Sequence, residues 1–466
     1  MLDNAVCQKA RLSRDRRFDG KFFIAVKTTK IYCRPICPAT QPKEKNVTYF
    51  STAIEAANAG FRPCLRCRPD SAPSSAAWRG VDTTLERAIH LIDQGALQMG
   101  SLVDLSERLG IGERYLRQLF QKYLGVSPKA YAQYQQCLFA KQLLHQTTLS
   151  ITQIALASGF NSVRRFNDCF KKQLQLSPSA LRKKTLPASN TLTLKLSYRP
   201  PYDWKAMQTF LQRRVISTLE WCDEKSYGRT FSWAGATGFF TARHNEKDHC
   251  FDVILDVDQT QHIKAMVYNI RRILDVDADI QLIDASLKKV LGKRFNLQAG
   301  LRLPGTWSLF EAGIRAILGQ QVSVVAAHQL VTLLVEQLGE CVELTDIGVK
   351  RQFPLPEVIM QSDLEFLKMP GSRKQTLKNL AQYFIDNHTC NEPDKWLALK
   401  GIGPWTVAYA KMRGLSDPDV FLAGDVGVNN AIKALQEKDK AFSIEKVSQD
   451  VAPWRSYLTL HCWNQS

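Results

Sequence analysis

Four cysteines have the type and spacing for metal chemistry. Three residues lie between Cys33 and Cys37, two between Cys64 and Cys67, and twenty-six between the pairs. They sit in YCRPICPAT and FRPCLRCRPD, short loops able to fold around one ion, and four thiolates so spaced suit tetrahedral Zn2+. Coordination keeps sulfur deprotonated at neutral pH, and a thiolate is a nucleophile as well as a ligand. Arg34, Arg62, Arg66 and Arg68 crowd the same loops, so the sulfurs are expected inside a positive surface suited to phosphate. Taken alone, the tetrad reads first as a structural zinc knuckle.

A second stretch with chemical content is LKGIGPWTVAYA, residues 399–410. Gly401 and Gly403 permit a sharp hairpin between two helices, whose following N-terminus offers amide N–H groups to a phosphate. A monovalent cation held by the hairpin carbonyls would assist. Twenty-two residues beyond Gly403 stands Asp425, in VFLAGDVGV. An aspartate after glycine and before VGVNNAIKAL is by itself a good helix N-cap.

These groups need elements to hold them. After a Pro/Ser/Ala-rich stretch at 70–77, Leu102, Leu105, Leu109, Leu116, Leu119 and Phe120 recur at helical spacing around Gly110. About fifty residues later Ile151, Ile154, Ala155, Phe166 and Phe170 repeat the pattern around Gly159, and both units close on Ser-Pro, at 125–128 and 176–178. The second helix of each carries basic and amide side chains, Arg114, Arg117 and Gln118, then Arg164, Arg165 and Asn167, which can reach phosphates and base edges of duplex DNA. From Thr191 strand-like alternation appears in TLTLKLSYRP, GFFTARHN and FDVILDVD, and from Leu297 the chain reads as helical.

Charge divides the chain in the same place. Residues 1–185 carry a net +16 and residues 186–466 a net +2, so the front is a polyanion-binding half. No apolar stretch approaches the roughly 20 residues that span a bilayer, and the first residues lack a signal-peptide core. A cytoplasmic protein without membrane partners is expected, its remaining cysteines mostly buried and reduced.

The run from FDGKFFIAVKTTKIYCRPICPAT to FRPCLRCRPD resembles the zinc domain of Ada-type DNA repair regulators. That resemblance implies that Cys33 accepts a methyl group from a DNA methylphosphotriester, stoichiometrically, while Cys37, Cys64 and Cys67 serve as ligands. Residues 82–184 resemble the paired DNA-binding domain of AraC-type regulators. RPPYDW, LRLPGTWSLFEAGIRAILGQQVS, GIGPWT and APWRSYLTLHCW are similar to AlkA-type 3-methyladenine DNA glycosylases of the helix-hairpin-helix superfamily.

The last resemblance implies excision of alkylated bases, with Asp425 in the catalytic position and Trp405, Tyr409 and Trp463 in the base pocket. Trp307 is assigned to the core. Gln321 matches the wedge that fills the gap left by a flipped nucleotide, although an apolar residue is usual there. Trp405 stands where strand-cutting relatives have a lysine, which implies a monofunctional enzyme that leaves an abasic site. The Pro-Cys-His-Arg run of an O6-alkylguanine acceptor is absent from the sequence, so direct O6 repair is not expected.

The expected fold class is therefore multidomain, mainly α with α+β parts. It comprises a zinc domain (1–77), a double helix-turn-helix domain (82–184), a small α/β domain (191–296) and a helix-hairpin-helix glycosylase domain (297–466). Expected partners are double-stranded DNA, alkylated DNA, a promoter operator and RNA polymerase, in use at the bacterial nucleoid. Two rival readings stand beside this one: a transcription regulator whose glycosylase-like half only binds DNA, and a structural zinc domain without methyl uptake.

Overall fold

The computed structural model describes residues 3–15, 18–37, 39–64, 67, 83–93, 95–182, 192–292, 295–344, 347–387, 392–438 and 443–465. Arg66, Arg68 and the stretch 70–77 lie outside them. The chain divides into two compact units, Met1–Leu194 with Gln259–Tyr268, and Lys195–Asp258 with Asn269–Ser466.

In the first unit α1 (Asn4–Leu12) precedes β1 (Phe23–Val26), β2 (Ile31–Cys33), β3 (Val47–Phe50), α2 (Ala53–Asn58) and β4 (Arg62–Pro63), the strands ordered β3-β1-β2-β4. β1 pairs antiparallel with β2 and β3, while β2 and β4 run parallel. Side chains alternate across β1. Phe22 and Ile24 therefore join Cys7, Ala10, Val47 and Tyr49 in a small core, and Phe23 and Ala25 join Tyr32 in a larger one. The larger core continues into Leu85, Leu105, Leu116, Phe120 and Leu138 of the following helices, and the Tyr32 and Tyr134 hydroxyls share a hydrogen bond.

Those helices are α3 (Thr83–Asp93), α4 (Ala96–Met99), α5 (Leu102–Leu109), α6 (Glu113–Leu124), α7 (Pro128–Gln146), α8 (Ile151–Ala157), α9 (Val163–Leu174) and α10 (Pro178–Leu181). Serine sets five of their starts. Ser101 and Ser150 form capping boxes with Asp104 and Gln153, Ser162 caps α9, and Ser127 and Ser177 cap helices that open on Pro128 and Pro178. Each cap contributes about 1 kcal/mol. Gly110 ends α5 at φ 69°, the left-handed turn that lets α6 fold back.

From residue 192 the chain builds β5 (Leu192–Ser197), α11 (Trp204–Gln212), β6 (Glu220–Cys222), β7 (Ser226–Trp233), β8 (Ala236–Asn245) and β9 (Cys250–Val257), in a sheet ordered β5-β9-β8-β7-β6. α12 (Ile263–Ile273), α13 (Ile280–Leu291), α14 (Leu309–Leu318) and α15 (Val324–Leu338) follow, then the hairpin β10 (Cys341–Leu344) and β11 (Gly348–Arg351). α16 (Pro356–Gln361), α17 (Gly371–Asp386), α18 (Pro404–Gly414), α19 (Val426–Lys438), α20 (Ile444–Asp450) and α21 (Arg455–Trp463) complete it.

α14 is the axis of the helical core, with Ile314 and Leu318 packed among Leu334, Leu380 and the fully buried Trp396. Buried charges tie the sheet to it. Arg229 of β7 forks onto Glu311 of α14 at 3.0 and 2.9 Å, and Arg315 reaches the same carboxylate at 2.8 Å. Removing one partner from such a network costs about 3–5 kcal/mol, because the other charge is left buried. Trp307 is in the core as expected, 3% exposed and stacked on Phe231. No described helix is long and apolar enough to cross a membrane.

Candidate functional site

Parallel pairing of β2 with β4 sets Tyr32 beside Pro63, and the Cys64 amide donates to the Tyr32 carbonyl at 2.9 Å. Cys33 and Cys64 therefore leave neighbouring strands side by side. A turn with Pro35 at its first corner, closed by the Cys37 amide on the Arg34 carbonyl at 3.1 Å, brings Cys37 back to them. The four Sγ atoms of Cys33, Cys37, Cys64 and Cys67 lie within 4.8 Å of one another. Four sulfurs each at 2.3 Å from one zinc stand about 3.8 Å apart, so the set fits a tetrahedral ion with small adjustment.

The Arg34 amide donates to Cys67 Sγ at 3.4 Å, a contact that steadies a thiolate. Cys64 and Cys67 are buried, while Cys33 and Cys37 keep partial exposure, so a reagent meets the first pair.

The arginine collar differs from expectation. The Arg34 guanidinium turns onto Asp19, with Nε at 2.8 Å from Oδ1, and onto the Cys67 carbonyl at 3.3 Å. Its charge is compensated within the fold instead of being offered to phosphate. Arg62 is half-buried.

On α6, Arg114, Arg117 and Gln118 are exposed, with Arg117 paired to Glu113. On α9, Arg164, Arg165 and Asn167 are exposed, while Phe166 and Phe170 bury the opposite face. Each of these second helices thus presents the polar side chains that the spacing assigned to it.

In the second unit the hairpin lies between the turn of residues 393–398 and α18. Gly401 takes φ 92°, and a Cβ there would stand 2.0 Å from Thr376 Oγ1, so both backbone and space require glycine. Gly403 has φ −108° and is the N-cap of α18, with open space where a Cβ would go, so it leaves the helix N-terminus uncovered. Gln320 donates to the Gly401 carbonyl at 3.1 Å and to Thr406 Oγ1 at 3.0 Å, and so holds the hairpin to the end of α14. Next to it Gln321 is exposed at φ 56°, a left-handed conformation uncommon for a residue with a side chain, and forms a tip flanked by exposed Val322, Val324 and Val325.

Asp425 caps α19: its Oδ1 accepts from the Val428 amide at 3.1 Å and from Trp463 Nε1 at 2.9 Å. Its side chain is only half-buried. From there a chain of contacts joins the remaining pocket residues. Trp463 stacks with Phe210 at 6.0 Å between ring centroids, and the Arg413 guanidinium lies 4.6 Å from the Phe210 ring. Arg413 donates to the Tyr409 hydroxyl at 3.2 Å, and Tyr409 stacks with Trp405 at 5.3 Å. Trp405, Tyr409 and Trp463 all keep partial exposure.

Phe210, Arg413 and Arg214 were not singled out in the sequence. Arg214 lies 3.8 Å from the Phe210 ring centre, and burial brings its guanidinium down to about 10 and lowers that of Arg413 as well. Behind Phe210 is a cavity of about 20 Å³, lined by Arg214, Arg315, Arg413, Glu220, Glu311 and Tyr227. The available signal was a second arginine in RRVI and one within the apolar run of α18.

Three family models match the chain: the metal binding domain of Ada over residues 6–70, a helix-turn-helix domain over 105–184, and the AlkA N-terminal domain over 193–308. The class so defined is a DNA-binding regulator joined to a DNA repair enzyme. The chain belongs to the family of bifunctional transcriptional activator/DNA repair enzymes, being 33% identical to a Mycobacterium tuberculosis protein described as a "probable bifunctional transcriptional activator/DNA repair enzyme AlkA", over 98% of this chain and 95% of that one. It is also 30% identical to DNA-3-methyladenine glycosylase 2 of Escherichia coli, over 58% of this chain and 95% of the relative. The bifunctional transcriptional activator/DNA repair enzyme AdaA of Bacillus subtilis is 32% identical over 37% of this chain and 80% of its own.

Proposed function

We propose that the second unit is a monofunctional glycosylase that hydrolyses the bond between an alkylated purine of the 3-methyladenine type and deoxyribose. The observation that carries this reading is the contact chain from Asp425 through Trp463, Phe210 and Arg413 to Tyr409 and Trp405. A base must leave the stack to be reached, and the aromatic faces of Trp405, Tyr409 and Trp463 receive it. N3 alkylation makes the purine a good leaving group, so the charge to be managed is the cation that develops on the sugar. Asp425, oriented by Trp463 and Val428, stabilises that charge as the base departs.

Gln321 at its strained tip enters the gap in the duplex. The open backbone at Gly401 and Gly403 approaches a phosphate. A monovalent cation at the hairpin belongs to the same reading, although the Gly401 carbonyl already accepts from Gln320.

The first unit acts on DNA as acceptor and reader. Bound zinc would keep the four sulfurs as thiolates. Cys33, the half-exposed member of the inner pair of strands, attacks the methyl carbon of a phosphotriester: an S–C bond forms, a C–O bond breaks, and the phosphodiester leaves as an anion. Methylation removes one negative charge from the cluster, which lowers its repulsion from DNA and strengthens promoter binding through Arg114, Arg117, Gln118, Arg164, Arg165 and Asn167. Contact with RNA polymerase would then activate transcription.

Two experiments test this. Incubation with methylated DNA must release free 3-methyladenine and leave abasic strands uncut until heat or base is added; spontaneous strand scission contradicts the monofunctional assignment. Methylated and unmethylated protein must differ in promoter affinity at matched salt, and equal affinities remove the switch.

A further inference from the structure

Two cysteines outside the metal cluster face each other among the helix-turn-helix elements. Cys137 on α7 is fully buried, Cys169 on α9 is half-buried, and the Cys137 thiol donates to Cys169 with 3.6 Å between the sulfurs. A disulfide places its sulfurs about 2.05 Å apart, so closing this pair draws them about 1.5 Å nearer than the 3.6 Å at which they stand.

The two thiols are not equivalent. The bond from Cys137 and the nearby Lys172 ammonium lower Cys169, while the same bond and burial raise Cys137. A partly exposed, acidified thiol beside a proton-bearing partner is the arrangement of an attacking and a resolving cysteine. In a reducing compartment such pairs are transient and regulatory. Cys169 also shares its helix with Arg164, Arg165 and Asn167, so any shift of α9 against α7 moves those side chains together.

We propose that Cys137 and Cys169 are a redox-active dithiol, oxidised to a disulfide by a hydroperoxide, whose closure displaces α9 and weakens DNA binding. Cys169 sulfur attacks the terminal peroxide oxygen: an S–O bond forms, the O–O bond breaks, and the departing oxygen leaves as alcohol, or as water from hydrogen peroxide, with the thiol proton. Cys137 sulfur then attacks the sulfenic sulfur. The S–S bond forms, the S–O bond breaks, and hydroxide leaves as water with the Cys137 proton. Two electrons pass from the pair to the peroxide, and a thiol reductant reverses the step.

The test uses the full chain loaded with zinc and treated with hydrogen peroxide, then denatured, alkylated with iodoacetamide and digested with trypsin without reductant. The expected product joins peptides 130–141 and 166–171, is reversed by dithiothreitol, and accompanies a severalfold loss of affinity for a labelled mixed-sequence duplex. Cys169→Ser and Cys137→Ala, first shown to melt like the wild type, should lose only the part of the peroxide effect that comes from this pair. Cys169→Ala is the second variant if either folds poorly. Alkylation of both cysteines while only the zinc-site sulfurs are oxidised overturns the proposal. So does a cross-link that leaves duplex affinity unchanged.

Discussion

The indole N–H of Trp463 and the amide of Val428 both donate to the same oxygen of Asp425, at 2.9 and 3.1 Å. One carboxylate is thus a helix cap and a member of the candidate pocket at once. The two donors fix its orientation, and no described residue donates to Oδ2.

Trp463→Phe keeps a ring to stack with Phe210 but deletes the N–H. A hydrogen bond to a charged group contributes about 1.5–3 kcal/mol, so single-turnover base release should fall about tenfold or more. The melting temperature should change little, since α21 is anchored by other side chains. Wild-type rates from this variant would mean that the indole does not position Asp425.

Gly401→Ala places a methyl group against Thr376 and forces a side chain into φ 92°. The strain is of order 1–3 kcal/mol. Calorimetry should show a lowered melting temperature, and duplex affinity should drop as the hairpin shifts. Adding Thr376→Ala relieves the clash but not the backbone strain, so the double variant should recover only in part.

A buried histidine and a half-buried aspartate give opposite pH dependences. Burial brings His461 down to about 4 and Asp275 up to about 6. Unfolded histidine and aspartate titrate near 6.5 and 3.9. The unfolded chain therefore binds the extra proton at His461, and that site's contribution is present above about pH 6.5 and lost on acidification, by at most about 1.4 kcal/mol per unit. At Asp275 the folded chain binds the extra proton, so its contribution is present in acid and lost as pH rises through about 6. Urea melts at pH 5 and pH 7 separate the terms. His461→Leu should lose less stability on acidification than wild type, and Asp275→Asn more; identical slopes in all three would refute both assignments.

Removal of zinc by a strong chelator should loosen β2 and β4, whose ends carry Cys33 and Cys64. Proteolysis within the first unit should accelerate, and added zinc should restore protection. With a radiolabelled methylphosphotriester duplex, Cys33→Ala should take up no label. Labelling of that variant would make another sulfur the acceptor.

What the sequence made readable was local. Ligand spacing, the glycine turns at 110 and 159, and the glycine at 401 are set by a few neighbouring residues, and each lies where the pattern put it. What escaped depends on distant pairings. The inward turn of Arg34 needs Asp19 across the sheet. The Tyr32–Tyr134 bond, and the apolar core that the strands share with α3 to α7, follow from tertiary packing. Phe210 reads as one more apolar position of α11 until Trp463, from the last helix, stacks with it. At Gly401 and Gly403 spacing does not distinguish a glycine that makes the bend from one that opens the helix start, and the structure divides the two roles.

If Asp425 stabilises the sugar cation as an alkylated purine leaves, its charge, not its cap, sets the rate. The most direct measurement is single-turnover release of 3-methyladenine from methylated duplex DNA by wild type and by Asp425→Asn, which retains the Oδ1 acceptor and hence the cap. The variant should lose at least about a hundredfold in rate, with duplex affinity and melting temperature close to wild type. Release at an undiminished rate by the variant, or no release by the wild type, would contradict that role.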